Sequence, residues 1–368
     1  MVPETGWRVP YIDLAARFLE LEPGLSQAVS CVLAHGRFVN GPCVAFLEDR
    51  LARLVGKAHV VAVNSGYDAL FLALKALGIG PGDEVVTVSH TFAATVAAIT
   101  HVGATPVLVD VDEQGLMEPG NLDAALTPRT RVVVPVHLNG ALCRMETVKA
   151  FAETNRLLVV EDAAQAIGAR DWGGRQVGVF ADAACFSLHP LKVVGAAGDG
   201  GFVATDYAAV AQRLKRLRNH GHEDGRLASW GYNSRMDEVQ AVVVDAQLNH
   251  IDRYVGRRRQ LAFAYNDALR DVVTVPFRDP GATFASYVIR TGRRDALQRH
   301  LGALGVETFA HWPVPLHLQP ELALARRHPL PVTERLAREV LSLPIYPEMT
   351  DWQQAHVVAC IREFYGGA

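Results

Sequence analysis

One lysine stands alone in an apolar, glycine-rich stretch, CFSLHPLKVVGAAGDGGFVAT, at residues 185–205. Lys192 follows a strand-like run and a proline, and glycines come soon after it. An ammonium group among apolar neighbours loses hydration, so its pKa falls and the amine becomes a usable nucleophile. The alternative is a hairpin whose lysine extends into solvent, and this stretch by itself does not decide between the two.

A second candidate is NSGYDAL at residues 64–70, where a β-branched run meets a helical pattern. Ser65, Gly66 and Tyr67 stand at the start of that helix. Small residues at this point allow a phosphate to approach backbone N–H groups, and the helix dipole favours an anion there. The same residues are also typical of a simple strand–helix turn with an N-cap serine.

Two further stretches place polar side chains where strands end or helices begin. VVEDAAQAIGA, at residues 159–169, ends a strand near Asp162, which would point an acid into the crevice where such sheets bind ligands. GYNSRMDEVQA, at residues 231–241, places Asn233 just before a long helical pattern. A helix N-cap would explain Asp162 equally well, and a capping turn would explain Asn233.

Together these stretches supply what one cofactor, pyridoxal 5′-phosphate (PLP), requires. PLP needs a lysine for a Schiff base, an acid that keeps its pyridine nitrogen protonated, and a phosphate site. Lys192, Asp162 and the Ser65-Gly66 turn are candidates for these three roles, and Ser187 ends the strand before the lysine. The combination is more specific than any of its parts.

The elements that must position these side chains alternate along the chain. From about residue 45 to 205, short β-branched runs alternate with helical patterns, which predicts an α/β fold with a mostly parallel sheet covered on both faces. One long helix is predicted after Asn233, through about residue 269.

After Pro276 the pattern predicts a small α+β unit. It consists of a strand at 284–291, a helix at 293–305, a strand at 306–312 and a closing amphipathic helix over DWQQAHVVACIREFYG. We therefore expect a large domain at residues 1–250, including the N-terminal arm, and a small C-terminal domain at 251–368.

The composition argues against several classes of protein. A formal net charge of −3 gives no indication of a nucleic-acid partner. The five cysteines are scattered without a CxxC pair, so neither a disulfide framework nor a metal site is predicted. The N-terminus does not resemble a signal peptide, and the most apolar segment, 85–102, is interrupted by polar residues. We expect no membrane span and a cytoplasmic location.

Over nearly its whole length the chain resembles the PLP-dependent nucleotide-sugar aminotransferases of the DegT type. The resemblance lies in the order and spacing of NSGYDALFLALKALGIGPGDEVVTVSHTFAAT, VEDAAQAIGA, FSLHPLKVVGAAGDGG, RNHG and GYNSRMDEVQA. It implies the three-layer αβα PLP-transferase fold of type I, with a mostly parallel seven-stranded sheet and a smaller α+β C-terminal domain. It also implies a homodimer whose active sites are shared across the interface.

The resemblance implies roles for individual residues. Lys192 would form the Schiff base and shuttle the proton, and Asp162 would pair with the pyridine N–H. Gln165 would lie near the phenolic oxygen, and Phe92 would stack on the ring. The phosphate would be held by Ser65, Gly66, Tyr67 and Ser187, together with Asn233 of the partner subunit.

Three positions depart from the usual family pattern. Val193 follows the lysine where Asn is common, and Asn139 replaces a common Tyr. Tyr67 stands where Thr is common, which puts a side-chain contact with the phosphate in doubt. Some relatives carry His in place of the lysine and act as dehydratases, an outcome that Lys192 argues against.

The reaction implied by the resemblance is a ping-pong transamination from L-glutamate to a keto group on a nucleotide-linked sugar. SHTFAAT and HWPVPLHLQP resemble the branch that acts on dTDP-3-keto-6-deoxyhexoses, so we expect amination at C-3 in deoxyaminosugar biosynthesis. His311 and His317 are the candidates for substrate contact, the alternative being a rigid proline-bracketed loop with surface histidines. Amination at C-4 by an enzyme of the same family is a second possibility.

Two other functional classes have weaker support in the sequence. An oxidoreductase would use the glycines of GIGPGD, but these precede a strand instead of opening a helix, so they would not bind a dinucleotide. A PLP-binding regulator would keep the fold without turnover, and no added DNA-binding segment is recognisable.

Overall fold

A seven-stranded sheet forms the centre of the larger part of the protein in the computed structural model, which describes residues 6–324 and 327–366. The strands are β1 (His59–Val63), β2 (Glu84–Val88), β3 (Thr105–Val109), β4 (Thr130–Val133), β5 (Leu158–Asp162), β6 (Ala183–Ser187) and β7 (Gly201–Thr205). Their order is β1-β7-β6-β5-β4-β2-β3, and β7 runs antiparallel to both its neighbours. The other neighbouring pairs are parallel, which confirms the predicted mostly parallel sheet.

Helices cover both faces of this sheet. They are α3 (Pro42–Val55), α4 (Gly66–Ala76), α5 (Ala93–His101), α6 (Leu122–Ala125), α7 (Met145–Asn155), α8 (Ala208–Arg218) and α9 (Glu238–Leu248). Two earlier helices, α1 (Leu14–Glu20) and α2 (Gly24–His35), pack in an apolar cluster with α9. Alternate strand residues face opposite layers: Val60 of β1 packs in one apolar cluster with α3 and α9, and Val61 packs in another with α4 and α8. Because successive strand side chains point to opposite faces, the fold is the predicted three-layer αβα arrangement.

The rest of the chain is a smaller α+β unit. A short hairpin, β8 (His222–Glu223) and β9 (Arg226–Leu227), precedes it, and its own elements are α10 (Ile251–Leu269), β10 (Tyr287–Arg290), α11 (Arg294–Ala303), α12 (Pro331–Glu339), β11 (Val340–Leu343) and α13 (Asp351–Phe364). We propose the boundary at 250/251, because α10, α11 and α13 share one apolar cluster with β10 and β11. Val9 of the N-terminal arm also packs in that cluster. In the part of the chain that the structure describes, no helix is long and apolar enough to cross a membrane.

Two predicted elements differ from the structure. The predicted single helix after Asn233 is two helices, because α9 ends at Leu248 and α10 begins at Ile251. His250 leaves the helical conformation, and its carbonyl accepts the N–H of Tyr254 to begin the second helix. The helical periodicity continues across the break, so the pattern alone could not locate it.

The predicted strand at 306–312 is also absent from the structure. This segment makes only isolated backbone pairings, from Val306 to Val9 and from Phe309 to Ser342. Its β-branched and aromatic residues are typical of a strand, but in the structure it has no continuous partner strand.

A glutamate from α9 caps a helix nearly two hundred residues earlier in the chain. Glu238 is fully buried, and its carboxylate accepts the N–H groups of Gly41 (2.8 Å), Cys43 (2.9 Å) and Val44 (3.1 Å). Gly41 is the N-cap residue of α3, and Cys43 and Val44 belong to its first turn, which has no side-chain cap of its own. Because a helix N-terminus leaves its first N–H groups without helical partners, this carboxylate fixes α3 to α9.

We therefore expect Glu238→Ala to lower the free energy of unfolding by about 3 kcal/mol, since it leaves three buried N–H groups unpaired. Glu238→Gln, which keeps one acceptor oxygen, should cost about half as much. Urea unfolding followed by circular dichroism measures both. Exposed Glu153 provides the control, and a Glu238→Ala loss no larger than that of Glu153→Ala would contradict the role of the cap.

Candidate active site

A cavity of about 460 Å³ opens at the carboxyl ends of β1, β5 and β6, the edge where α/β sheets bind ligands. Its wall also includes Ala285 and Ser286 from the C-terminal part of the chain. Most of the predicted site residues line it: Ser65, Gly66, Tyr67, Phe92, Asp162, Gln165, Ser187, Lys192 and His311.

Asp162 ends β5 and is buried in the cavity wall. Burial raises the pKa of its carboxyl because the ionised form loses hydration, and neighbouring donors oppose this shift. Thr95 Oγ1 donates to Oδ2 at 2.7 Å, and the N–H of Ala164 donates to Oδ1 at 3.2 Å. The Thr91 hydroxyl lies 2.8 Å from Thr95 Oγ1 and extends the chain of donors. No helix begins at Asp162, so the N-cap alternative does not apply.

Lys192 lies in the connection between β6 and β7, which pair antiparallel as a wide hairpin. The alternative interpretation, a hairpin whose lysine extends into solvent, is therefore correct about the hairpin, but the lysine lines the cavity instead. Burial lowers the pKa of Lys192, and the charge of Asp162 partly opposes this effect. Within the described residues its Nζ has no hydrogen-bond partner. Such an amine is available as a nucleophile and proton carrier.

A buried arginine, Arg17, donates a hydrogen bond to the main chain of Lys192. Arg17 of α1 is fully buried, and its Nη1 donates to the carbonyl oxygen of Lys192 at 3.0 Å. Its Nε lies 3.4 Å from Glu348 Oε1 in the smaller domain. The sequence analysis missed Arg17, because an arginine in an amphipathic pattern is typical of a solvent-facing position.

The predicted phosphate site is a close approach of three backbone segments. Ser65 caps α4, and its Oγ accepts the N–H of Asp68 at 3.1 Å. A Cβ at Gly66 would lie 2.6 Å from the Cβ of Ser187, and one at Gly201 would lie 2.4 Å from the carbonyl of Ser65. Glycine at these two positions therefore allows the segments to pack closely at the N-terminus of α4, where Ser65, Gly66 and Tyr67 line the cavity, which suits a phosphate.

Two predicted cofactor contacts are already engaged with protein groups. The hydroxyl of Tyr67 lies 2.7 Å from Nδ1 of His101, so its backbone N–H is the group left for a phosphate. The side-chain carbonyl of Gln165 accepts the N–H of Asn139 at 2.7 Å, and this hydrogen bond orients its amide nitrogen. Asn139, where the family commonly has Tyr, acts here through its main chain.

Aromatic side chains form the outer part of the cavity. Phe92 precedes α5 and is 58% exposed, and its ring centroid lies 6.0 Å from that of Trp312. Nδ1 of His311 lies 2.8 Å from Ser342 Oγ. Burial lowers the pKa of His311, and the charge of Lys192 lowers it further, which favours a neutral imidazole.

Two predicted residues lie outside this cavity. Asn233 is exposed, and its main chain pairs with Asn219. The side chain of His317 is fully buried beside Ser89 and Glu334, so it cannot touch a substrate in the cavity. The predicted substrate contact of His317 is therefore not supported by its position.

Thr95 and Trp312 are site residues that the sequence analysis did not single out. Thr95 is in the first turn of α5, three positions after Phe92, and that spacing is the signal that could have found it. Trp312 follows His311 directly within the motif that was noted. In the described residues no group of His, Cys, Asp and Glu could hold a metal ion.

The residues present fit PLP. The phosphate cradle, which consists of Ser65, Gly66, Ser187 and Gly201, suits a phosphate group. The buried carboxylate of Asp162 suits a protonated ring nitrogen, and the amine of Lys192, which has no partner among the described residues, suits a Schiff base. Each group lines the same cavity.

The chain belongs to the DegT/DnrJ/EryC1/StrS aminotransferase family, whose profile matches residues 21–362. It is 43% identical to the dTDP-3-amino-3,4,6-trideoxy-alpha-D-glucose transaminase of Streptomyces venezuelae, over 97% of this chain and 96% of that one. The crystal structure of S. venezuelae DesV superposes with a TM-score of 0.95 at 41% identity, over 98% of this chain and 99% of that chain.

The structure of NtdA from Bacillus subtilis, with bound cofactor PMP, superposes with a TM-score of 0.90 at 28% identity, over 98% of this chain and 86% of that one. PMP is the aminated form of PLP. The chain is therefore an aminotransferase of the type I PLP fold, and its cofactor is PLP.

Lys192 should capture PLP at a lower pH than an exposed lysine, because burial lowers its pKa and leaves more neutral amine. The rate of capture by apo protein should rise with pH and level off below the ordinary lysine pKa of about 10.4. In Asp162→Asn the midpoint should fall further, since the Asp162 charge raises the pKa of Lys192. Stopped-flow absorbance measures both profiles, and an upward shift in Asp162→Asn would contradict this coupling.

Gly66→Ala should weaken PLP binding about tenfold, because the new methyl group collides with Ser187 and displaces the cradle. Absorbance titration of apo protein gives the dissociation constant. Gly256→Ala is the matched control, since a Cβ in that part of α10 meets nothing within 4 Å. Equal affinities in the two variants would rule out the cradle as the phosphate site.

Proposed function

We propose that this aminotransferase transfers the amino group of L-glutamate to C-3 of a dTDP-linked 3-keto-6-deoxyhexose. One observation carries the proposal: the amine of Lys192 and the buried carboxylate of Asp162 line a single cavity beside a phosphate cradle. The substrate class rests on the similarity to the S. venezuelae transaminase, and the sequence HWPVPLHLQP supports it.

The proposed chemistry divides between the cofactor and the chain. When bound, PLP supplies an electron sink for the charge formed when a C–H bond next to nitrogen breaks. Lys192 would take the proton from that carbon and deliver it to the carbon on the other side of the nitrogen, a 1,3-transfer. Asp162 keeps the ring nitrogen protonated, and Thr95 and Ala164 keep Asp162 oriented.

The remaining proposed contacts orient the cofactor. Phe92 would stack on its ring and Gln165 would donate toward its phenolic oxygen. The phosphate would be held by the α4 N-terminus, with Ser65, Gly66, Tyr67 and Ser187. We place His311 against the sugar, because its neutral ring lines the cavity.

We also propose a homodimer, in which Asn233 of the partner subunit reaches the phosphate. The support is that Asn233 is exposed and outside its own cavity, in a loop with Trp230, which is 88% exposed. Large exposed aromatic side chains are typical of protein–protein contacts.

We propose a cytoplasmic location as well, which fits the five free thiols.

A 4-keto sugar of the same kind is the alternative acceptor. Incubation with PLP, L-glutamate and either a dTDP-3-keto or a dTDP-4-keto 6-deoxyhexose distinguishes them, with mass spectrometry and NMR of the products. An amino group found only at C-4 would replace the proposed regiochemistry. A non-catalytic regulator would give no amino sugar and no change in cofactor absorbance with any donor.

Lys192→Ala should remove the visible absorbance of bound cofactor and slow transamination by roughly 10³-fold, because it removes both the covalent attachment and the proton carrier. The half-reaction with L-glutamate, followed by cofactor absorbance, measures the loss. Exposed Lys215 in α8 is the control, and Lys215→Ala should match the wild type. Wild-type rates in Lys192→Ala would refute the assigned role.

A further inference from the structure

His317 belongs to the predicted substrate motif, yet its buried side chain makes other contacts. Ser89 Oγ lies 2.7 Å from Nδ1 of His317 and also accepts the main-chain N–H of His317 at 3.1 Å. On the other side of the ring, Glu334 Oε1 lies 3.3 Å from Nε2. Both ring nitrogens therefore have fixed partners.

These contacts join His317 to two separate elements. The Ser89 hydroxyl accepts the main-chain N–H and also pairs with Nδ1, because a hydroxyl oxygen has two lone pairs besides its hydrogen, and Nε2 faces the Glu334 carboxylate. Ser89 directly follows β2, and Glu334 lies in α12. The first turn of α12 is held in turn by Asp110, at the end of β3. His317 is thus tied to the carboxyl edge of the large sheet.

Residues 311–318 form a covering segment that is fixed at both ends. At its start, the His311 ring bonds to Ser342 of β11 in the smaller domain. At its end, His317 bonds to Ser89 in the larger one. Between these two points Leu316 packs with Val96, Leu108 and Leu330, so apolar contacts hold the segment as well as the hydrogen bonds at its ends.

The covering segment borders both the catalytic cavity and an adjoining cavity. Trp312 contacts His90 and Phe92, with ring centroids 6.4 and 6.0 Å away. His311 lines both the catalytic cavity and an adjoining cavity of about 190 Å³. A nucleotide-linked sugar is much longer than an amino acid, so it is the substrate that would reach beyond His311 and Trp312.

We propose that His317 is a positioning residue for the keto-sugar half of the reaction. It touches no substrate, but it fixes His311 and Trp312 over the cavity. The inference rests on the proposed function, in which a short and a long substrate use one cavity in turn. Loosening the covering segment therefore weakens recognition of the sugar more than recognition of L-glutamate.

The test separates the two half-reactions. His317→Leu removes both ring contacts, and Ser89→Ala removes one of them while keeping the histidine. We expect KM for the nucleotide-linked keto sugar to rise about tenfold in each variant. The single-turnover rate with L-glutamate, followed by cofactor absorbance, should stay within about twofold. His317→Asn should recover most of the loss, because its amide can pair with the Ser89 hydroxyl in place of Nδ1.

Thr350→Ala provides the control for simple destabilisation, since it removes the capping box of α13 away from the cavity. Its sugar KM should equal that of the wild type. An unchanged sugar KM in the Ser89 and His317 variants, or an equal loss in both half-reactions, overturns the proposal. If His317→Leu does not fold, Ser89→Ala gives the same test. A wild-type protein that aminates no nucleotide-linked keto sugar refutes the proposed function instead.

Discussion

The buried carboxylate of Asp162 is the interaction on which the active site depends. A charge in an apolar wall is stable only when donors or a cation surround it. Thr95 and Ala164 provide the donors, and the amine of Lys192 lines the same cavity. The parallel direction of β5 and β6 brings their carboxyl ends to one edge, so the acid and the lysine meet as a consequence of the sheet.

The reversed direction of β7 serves the phosphate cradle. Because β7 runs antiparallel to β1 and β6, its first residue, Gly201, packs directly against Ser65, where β1 passes into α4. Gly66 faces Ser187 at the same level. Neither position has room for a Cβ, so two glycines and one strand reversal leave the N-terminus of α4 open to the cavity.

The cavity is held together by side chains that cross between the two parts of the chain. Arg17 joins the main chain of Lys192 to Glu348, and the covering segment joins Ser342 to Ser89. These contacts are buried and directional, so they fix the lysine on one side and the aromatic cover on the other. Fixing the lysine and the cover separately suits a transamination, in which the same lysine acts in both half-reactions while the substrate changes.

The sequence alone predicted the alternating αβ fold and singled out Lys192, Asp162 and the Ser65-Gly66 turn as candidates, because strand periodicity and turn residues are local signals. The tertiary structure decided what is not local. Helical periodicity continues through His250, so only packing revealed the break there. Arg17 and Glu238 resemble solvent-facing residues in sequence, and their buried partners lie far along the chain. The sequence motif suggested that His317 contacts the substrate, but in the structure its side chain is buried beside Ser89 and Glu334, because the surrounding elements set its direction.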